Sequence, residues 1–311
     1  MAHSSKSSFN WAALAALSFA VFTWGVAFVF VRSLVLAMGP ADSIVIRMWS
    51  VAIICIPLLA YTGFHIEKKD IGRLLLTGAI GNFGYFLGTI FGFAHVTASV
   101  GGIIIATQPL LIALLAAATG LEKLKVSVIL GIIVSFAGTV FLVSGSGEGT
   151  SVSNSELLLG SAMIFMSGVG WAIYVVAGKP LIQKYGALKI TAYSLFLCAP
   201  PTLVFASSST WHALNNMTFE NWGSLFYLSV IATFIALIFW NYAVGYMKSS
   251  TAGASLYLVP ILSVLAGWAY LGESVTVSTV IAGAIILLGV AIAQFGGSLV
   301  RDSQNSAKKN R

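Results

Sequence analysis

The sequence predicts an all-α polytopic membrane protein, with ten transmembrane helices arranged as two inverted five-helix repeats around a central cavity. Three observations predict it. The first is composition: of 311 residues, 58% are apolar and 8% charged, with a mean hydropathy of +0.95. A water-soluble domain carries roughly 45–50% apolar and about 25% charged residues, so this chain has too few charges to cover a surface in water. That excludes a cytosolic enzyme, a secreted disulfide scaffold and a disordered chain. The second observation is the spacing of long apolar runs, and the third is a resemblance of the chain to itself.

A helix needs about 20 mainly apolar residues to cross the hydrocarbon core. Ten stretches qualify: Trp11–Val31, Ala41–Tyr61, Ile71–Phe93, Ala98–Ala118, Val126–Val143, Leu157–Gly178, Ile190–Ala206, Trp222–Met247, Thr251–Leu271 and Thr276–Gly296. The runs are continuously apolar rather than alternating, which argues against a β-barrel. The first run is longer than a signal-peptide core of roughly 7–15 residues and lacks an A-x-A-like site, so it is read as span one. Short connectors make sequence neighbours antiparallel and leave no room for a soluble domain.

Charge sets the expected orientation. With the N-terminus in the cytoplasm, fourteen of the sixteen Lys and Arg fall in cytoplasmic segments, the exceptions being Arg32 and Arg47. Such a bias marks the cytoplasmic side of short loops. Both termini are therefore expected in the cytoplasm and the protein in the cytoplasmic membrane. The net charge of +7 is accounted for by topology. The basic residues form no stripe for a phosphate backbone, so nucleic acid is not an expected partner. Cys55 and Cys198 lie inside apolar runs and imply no disulfide framework.

The internal repeat appears at an offset of 151. Gly102 then meets Gly253, Pro109 meets Pro260, Leu111 meets Leu262, Glu122 meets Glu273 and Gly138 meets Gly289. Near an offset of 147, Trp24-Gly25 meets Trp171-Ala172, and Arg47 meets Tyr193. The expected units are a first five-helix repeat over 1–145, a linker over 146–156, a second repeat over 157–298 and a cytoplasmic tail over 299–311. Five is odd, so the second repeat enters the membrane from the opposite side. Inverted repeats of this kind characterise carriers whose substrate site lies at the repeat interface.

Candidate ligand-binding residues follow from helix faces. In span three, Gly78, Gly81, Gly84, Gly88 and Gly92 share a face and predict a close-packed helix seam. Asn82, Phe86, Thr89 and Phe93 form a second stripe about 110° away by helix arithmetic. An amide is unfavourable against lipid, so this stripe faces inward, either as satisfied packing or as a cavity lining. Span eight repeats the pattern with Thr233, Leu237 and Trp240, next to Asn241. In span six, Ser167, Trp171 and Tyr174 share a face, and Trp24 is the partner of Trp171. Trp11, Trp211 and Trp222 sit at span ends, where tryptophan anchors to the interface.

Pro109 and Pro260 lie inside spans and release the carbonyls of Ile105 and Leu256. Matched breaks near mid-membrane point to a transport site, so both prolines are read as hinges or gates. Gln108, Ser255 and Tyr257 are the nearby side chains able to hold a ligand. Arg47, about two turns into span two, could snorkel outward or pair with Asp42. His95 sits near the outer end of span three. No Asp or Glu falls mid-span, which favours facilitated diffusion or exchange over tight proton coupling. Enzyme chemistry finds no support: there is no HExxH, no P-loop, no paired carboxylates within spans and no ligand cluster for a metal. No cofactor is expected.

The chain resembles the drug/metabolite transporter superfamily, in its EamA-type branch of ten-helix exporters. The resemblance rests on FTWGVAFVFVR, the Arg of SIVIRMWS, FAHVTASVGGIIIATQPLLIALLA with LEKL after it, WAIYVVAGK, and YMKSSTAGASLYLVPILSVLAGWAYLGES. It covers nearly the whole chain. Gly120-Leu121-Glu122 departs from the Leu-Gly-Glu order at Leu271-Gly272-Glu273. The resemblance implies export of amino acids, other metabolites or drugs, with cap or gate roles for Glu122 and Glu273. A narrower similarity to aromatic amino-acid exporters implies an aromatic or large apolar substrate. Lipophilic drugs, and a channel or scaffold role, are the alternatives. The expected partners are a small-molecule substrate and the lipid bilayer, with the chain a monomer or weak homo-oligomer. GTIFG offers a dimer face that the repeat could instead use internally.

Overall fold

The computed structural model describes residues 11–120, 126–145, 153–246, 255–256, 258–289 and 291–292. Every regular element among them is helical. Seven helices are long and apolar enough to cross a membrane. They are α1 (Trp11–Met38), α2 (Pro40–Thr62), α3 (Lys68–Gly92), α4 (Ala98–Ala118), α6 (Asn154–Tyr185), α7 (Ala187–Phe205) and α8 (Phe219–Ala243). Three shorter apolar helices complete the set: α5 within Val126–Gly145, α9 (Leu258–Leu271) and α10 (Val277–Gly289). The spans expected at Thr251–Leu271 and Thr276–Gly296 extend beyond the described residues, which leave out 251–254, 257, 290 and 293–296. The same holds for most of the 146–156 linker and for the 299–311 tail.

Local chemistry sets the helix ends. Ser153 and Glu156 form a reciprocal capping box that starts α6, which satisfies two orphan donors at once. The Thr97 hydroxyl accepts from the Val100 N–H at the start of α4, and Thr218 does the same for Asn221 at the start of α8. Gly39 (φ 81°) joins α1 to α2, and Gly186 (φ 87°) joins α6 to α7. Only glycine takes such a backbone without strain. The two turns are 147 residues apart, the same offset that relates Trp24 to Trp171.

Two spans are not α-helical throughout. Helix α3 widens to π geometry over Leu76–Asn82, and α8 does so over Tyr227–Ile235. The two stretches begin 151 residues apart. Helix α4 breaks at Ala106–Thr107, just ahead of Pro109.

Helix α1 packs mainly on α8 and α9, α6 on α3 and α4, and α2 on α7. Each first helix of a sequence repeat therefore has its principal contacts in the other repeat. The glycine seam expected on α3 lies against α6. A Cβ on Gly81 would come within 2.7 Å of the Tyr174 N atom, and one on Gly88 within 2.6 Å of the Met163 carbonyl. On α6, a Cβ on Gly170 would come within 2.6 Å of the Tyr85 N atom. Gly78 is the exception and faces Ser194 and Leu197 of α7. The GTIFG stretch is thus occupied within the chain and is not open to a second copy. Gly138 and Gly289, paired by the repeat, sit at the α5–α10 crossing, where the Ser135 hydroxyl donates to the Ile286 carbonyl.

Candidate functional site

Helices α1, α2, α3, α4, α6 and α8 and the start of α9 enclose a cavity of about 60 Å³. Its wall is mostly apolar and aromatic. Trp24, Phe28, Tyr85, Phe86 and Trp171 supply rings, and Ile105, Leu237, Leu256 and Val259 supply aliphatic surface. The rings form a connected set. Trp24 meets Trp171 edge-on at 5.7 Å, Tyr85 lies 5.2 Å from Trp171, and Tyr174 stacks behind Trp171 at 5.1 Å. Such ring pairs hold one another in fixed orientation beyond simple area burial.

The polar groups of the wall are few. Asn82, at the end of the π stretch of α3, is fully buried, and neither its amide nitrogen nor its oxygen has a partner. The Gln108 amide nitrogen and the Trp171 indole nitrogen are also unpaired. Thr89 is satisfied, its hydroxyl donating to the Tyr85 carbonyl. Buried polar atoms are nearly always paired. Here several unpaired ones lie around one cavity.

Arg47 lines the same cavity. Neither route expected for it is taken. Asp42 accepts instead from the hydroxyls of Ser209 and Thr210 on the short helix Ser208–Asn215. Arg47 lies one to two turns deeper and reaches inward. Its Nη2 donates to the Thr233 hydroxyl at 3.1 Å, and its guanidinium stands over the Phe86 ring at 5.0 Å.

Of the residues expected to bind a ligand, Trp24, Asn82, Phe86, Thr89, Gln108, Trp171 and Thr233 line the cavity. Tyr174, Trp240 and Asn241 do not. The Asn241 amide donates to Tyr174 and Thr191 hydroxyls, and Trp240 packs on Trp24 from behind at 5.2 Å. Ser255 lies ahead of α9 and off the wall, and Tyr257 is outside the described residues. Pro109 and Pro260 are not themselves on the wall, but each is flanked by residues that are. These are Ile105 and Gln108 around one, and Leu256 and Val259 around the other. Leu256 keeps its carbonyl satisfied through a tight turn to the Val259 N–H. Tyr85 was not anticipated, although its place at i+3 from Asn82 carries the signal.

Two polar clusters lie at opposite ends of the bundle. At one end, the Glu273 carboxylate accepts from the Ala98 N–H (2.7 Å), the Ser99 N–H (3.0 Å) and the Ser99 hydroxyl (2.7 Å). It thereby caps α4 from the far repeat. Arg32 lies 3.9 Å from Glu273 and donates to the Phe93 and Val96 carbonyls. At the other end, Lys184 of α6 bridges Asp70 and Glu67, and the Tyr185 hydroxyl donates to Asp70. Lys184 and Lys69 hold the Glu67 carboxyl below its ordinary range. Glu122, the repeat partner of Glu273, lies outside the described residues. His95 is half-buried in the turn after α3, beside Gly160.

Comparison with known proteins adds the family. The profile of the EamA-like transporter family matches the chain twice, over residues 10–144 and 158–294. An uncharacterized transporter of Archaeoglobus fulgidus is 27% identical over 276 residues, covering 89% of this chain and 96% of the relative. A probable terminal-alkyne amino-acid exporter of Streptantibioticus cattleyicolor is 26% identical over 279 residues, covering 89% and 91%. A solved crystal structure shares the fold at a TM-score of 0.61 and 18% identity, covering 92% of this chain and 99% of that one.

Proposed function

The chain belongs to the EamA-like transporter family, and from that premise we propose a secondary transporter that exports small metabolites across the cytoplasmic membrane by alternating access. Amino acids with aromatic or large apolar side chains are the proposed substrates. The observation that carries this reading is the cavity itself, enclosed by helices of both sequence repeats, ring-lined, and edged by unpaired polar atoms. Ligand sites have this composition: an apolar wall with a few polar groups that set orientation.

Cavity size supports a cycle of opening and closing. A hole of about 150 Å³ is what takes a benzene molecule. At about 60 Å³ the cavity is well below that, which supports a substrate being admitted as the surrounding helices part. The Glu273 cluster, at the end assigned to the outside by the charge bias, ties α4 to the far repeat. The Asp70–Lys184 cluster ties α3 to α6 at the other. Releasing one while keeping the other opens the cavity to one side. The two π stretches and the breaks beside Pro109 and Pro260 are the places where the helices bend in this cycle. The halves are proposed to be inverted and both termini cytoplasmic.

The relative from Streptantibioticus cattleyicolor, a probable amino-acid exporter, supports the amino-acid class. Among the described residues, none of those on the wall is a carboxylate or a histidine. That supports facilitated diffusion or exchange, because proton-driven carriers use such groups as relays. The test is uptake of radiolabelled amino acids by liposomes containing the purified protein. Equilibration without accumulation, at equal or unequal pH, is expected. Accumulation driven by an imposed pH gradient would overturn the facilitator mechanism, and absence of uptake for every amino acid would overturn the substrate class.

A further inference from the structure

We infer that Arg47 is the anchor for a carboxylate on the transported molecule, so that the cavity takes amphipathic carboxylates and rejects the matching amines. The inference rests on the exporter reading above and names the chemical class that its site selects.

Arg47 is 5% exposed, in the wall of the cavity, about two turns inside its helix. A guanidinium stays charged in a protein and carries five donors in a planar fork. Here one donor is used, on a neutral hydroxyl, and the Nε atom is unpartnered. Among the described residues no carboxylate forms an ion pair with Arg47. The nearest acidic side chain along its helix, Asp42, is already held by Ser209 and Thr210. A buried cation without a counter-ion is costly. The Phe86 ring offsets part of that cost through its negative face, but a ring offers no acceptor for the fork. No anion among the described residues completes the site, and the carboxylate of a ligand would.

The rest of the wall suits the remainder of such a molecule. Asn82 lines the wall with Arg47 and Phe86, and its amide can donate to the second oxygen of a carboxylate. The Trp24–Trp171–Tyr85 rings make an apolar surface for the remainder of the molecule. Among the described residues no acidic side chain lines the wall, so an ammonium group finds neutral acceptors and ring faces there but no counter-charge. The asymmetry between repeats sharpens this assignment. Tyr193, the sequence partner of Arg47, points away and donates to the Phe64 carbonyl outside the cavity. Among the described residues, Arg47 is the one cation on the cavity wall.

The experiment uses the full chain in detergent and two matched pairs of probes: 3-phenylpropionate with phenethylamine, and hexanoate with hexylamine. Competition against a bound radiolabelled amino acid, and the shift in thermal unfolding midpoint, are the readouts. Each acid is expected to bind at least tenfold more tightly than its amine. Arg47→Gln is expected to remove that preference while leaving binding of uncharged 3-phenylpropanol within twofold. Arg47→Lys, which keeps the charge, is expected to retain part of it. Should Arg47→Gln fail to fold, the acid-to-amine ratio of the unaltered protein still decides. Equal binding of acids and amines, or no binding of either alongside measurable amino-acid uptake, overturns the anchor and leaves the exporter standing. No uptake of any amino acid removes both.

Discussion

The indole N–H of Trp24 donates to the main-chain carbonyl of Ala232 at 2.7 Å, whereas the indole N–H of Trp171, its counterpart in the repeat, is unpaired at the cavity wall. The two rings touch. One tryptophan thus ties α1 to the π stretch of α8, and the other leaves its donor unbonded at the cavity wall. The sequence repeat makes them equivalent, and their surroundings give them different work.

That difference is measurable with one substitution at each site. Trp24→Phe keeps an aromatic ring but removes the buried hydrogen bond to the Ala232 carbonyl, which costs about 0.5–1.5 kcal/mol. A lower unfolding midpoint is expected. Trp171→Phe removes a donor that bonds nothing in the empty protein, so the midpoint should hold. Transport should fall by about fivefold to tenfold, the worth of one hydrogen bond to ligand. Equal midpoints for the two variants would refute the division.

Asn241 is a packing residue in this fold. Its amide satisfies the Tyr174 and Thr191 hydroxyls in a buried cluster behind Trp171. Asn241→Leu should destabilise by about 1–3 kcal/mol through the loss of its two hydrogen bonds. The rate of transport per folded molecule should stay near that of the unaltered protein. A selective loss of transport with normal stability would place Asn241 in the site.

The α3–α6 seam discriminates between neighbouring glycines. A Cβ at Gly81 would meet the Tyr174 backbone at 2.7 Å, whereas one at Gly84 would meet its nearest neighbour, the Gly170 Cα, at 4.0 Å. Gly81→Ala should therefore cost about 1–3 kcal/mol by overpacking, and Gly84→Ala should be near neutral. Thermal unfolding of the pair, measured side by side, checks this. Equal effects would mean that the helices are not in this register.

Glu273 makes three hydrogen bonds to the start of α4, all to an ionised acceptor. Such bonds are worth about 1.5–3 kcal/mol each when the partner is charged. Glu273→Gln keeps the shape and weakens them. With Cys55 and Cys198 replaced and a single cysteine introduced at Val31, a membrane-impermeant maleimide should react severalfold faster in the Glu273→Gln background. An unchanged rate would show that this contact does not close the cavity.

Much of the fold was legible because lipid is a simple solvent. A segment that crosses it must be apolar and must satisfy its own backbone, so apolar runs such as Pro40–Thr62 and Ala98–Ala118 could be read directly from residue type. The glycine stripe of α3 was legible for the same reason: a helix face without side chains can only meet another backbone. The inward stripe of Asn82, Phe86 and Thr89 also followed from periodicity, since an amide against lipid is disfavoured.

What residue type and spacing could not decide is which inward groups reach a partner. Asn241 and Asn82 read alike in the sequence, as amides on inward helix faces. Only the packing of α6, α7 and α8 brings two hydroxyls to Asn241 and none to Asn82. Arg47 could have gone outward or to Asp42, and it was the seating of Ser209 and Thr210 on Asp42 that left it facing the cavity. Apolarity and helical period are properties of one segment and are written in it. Hydrogen-bond satisfaction is a relation between segments far apart in the chain, and it exists only once they are packed.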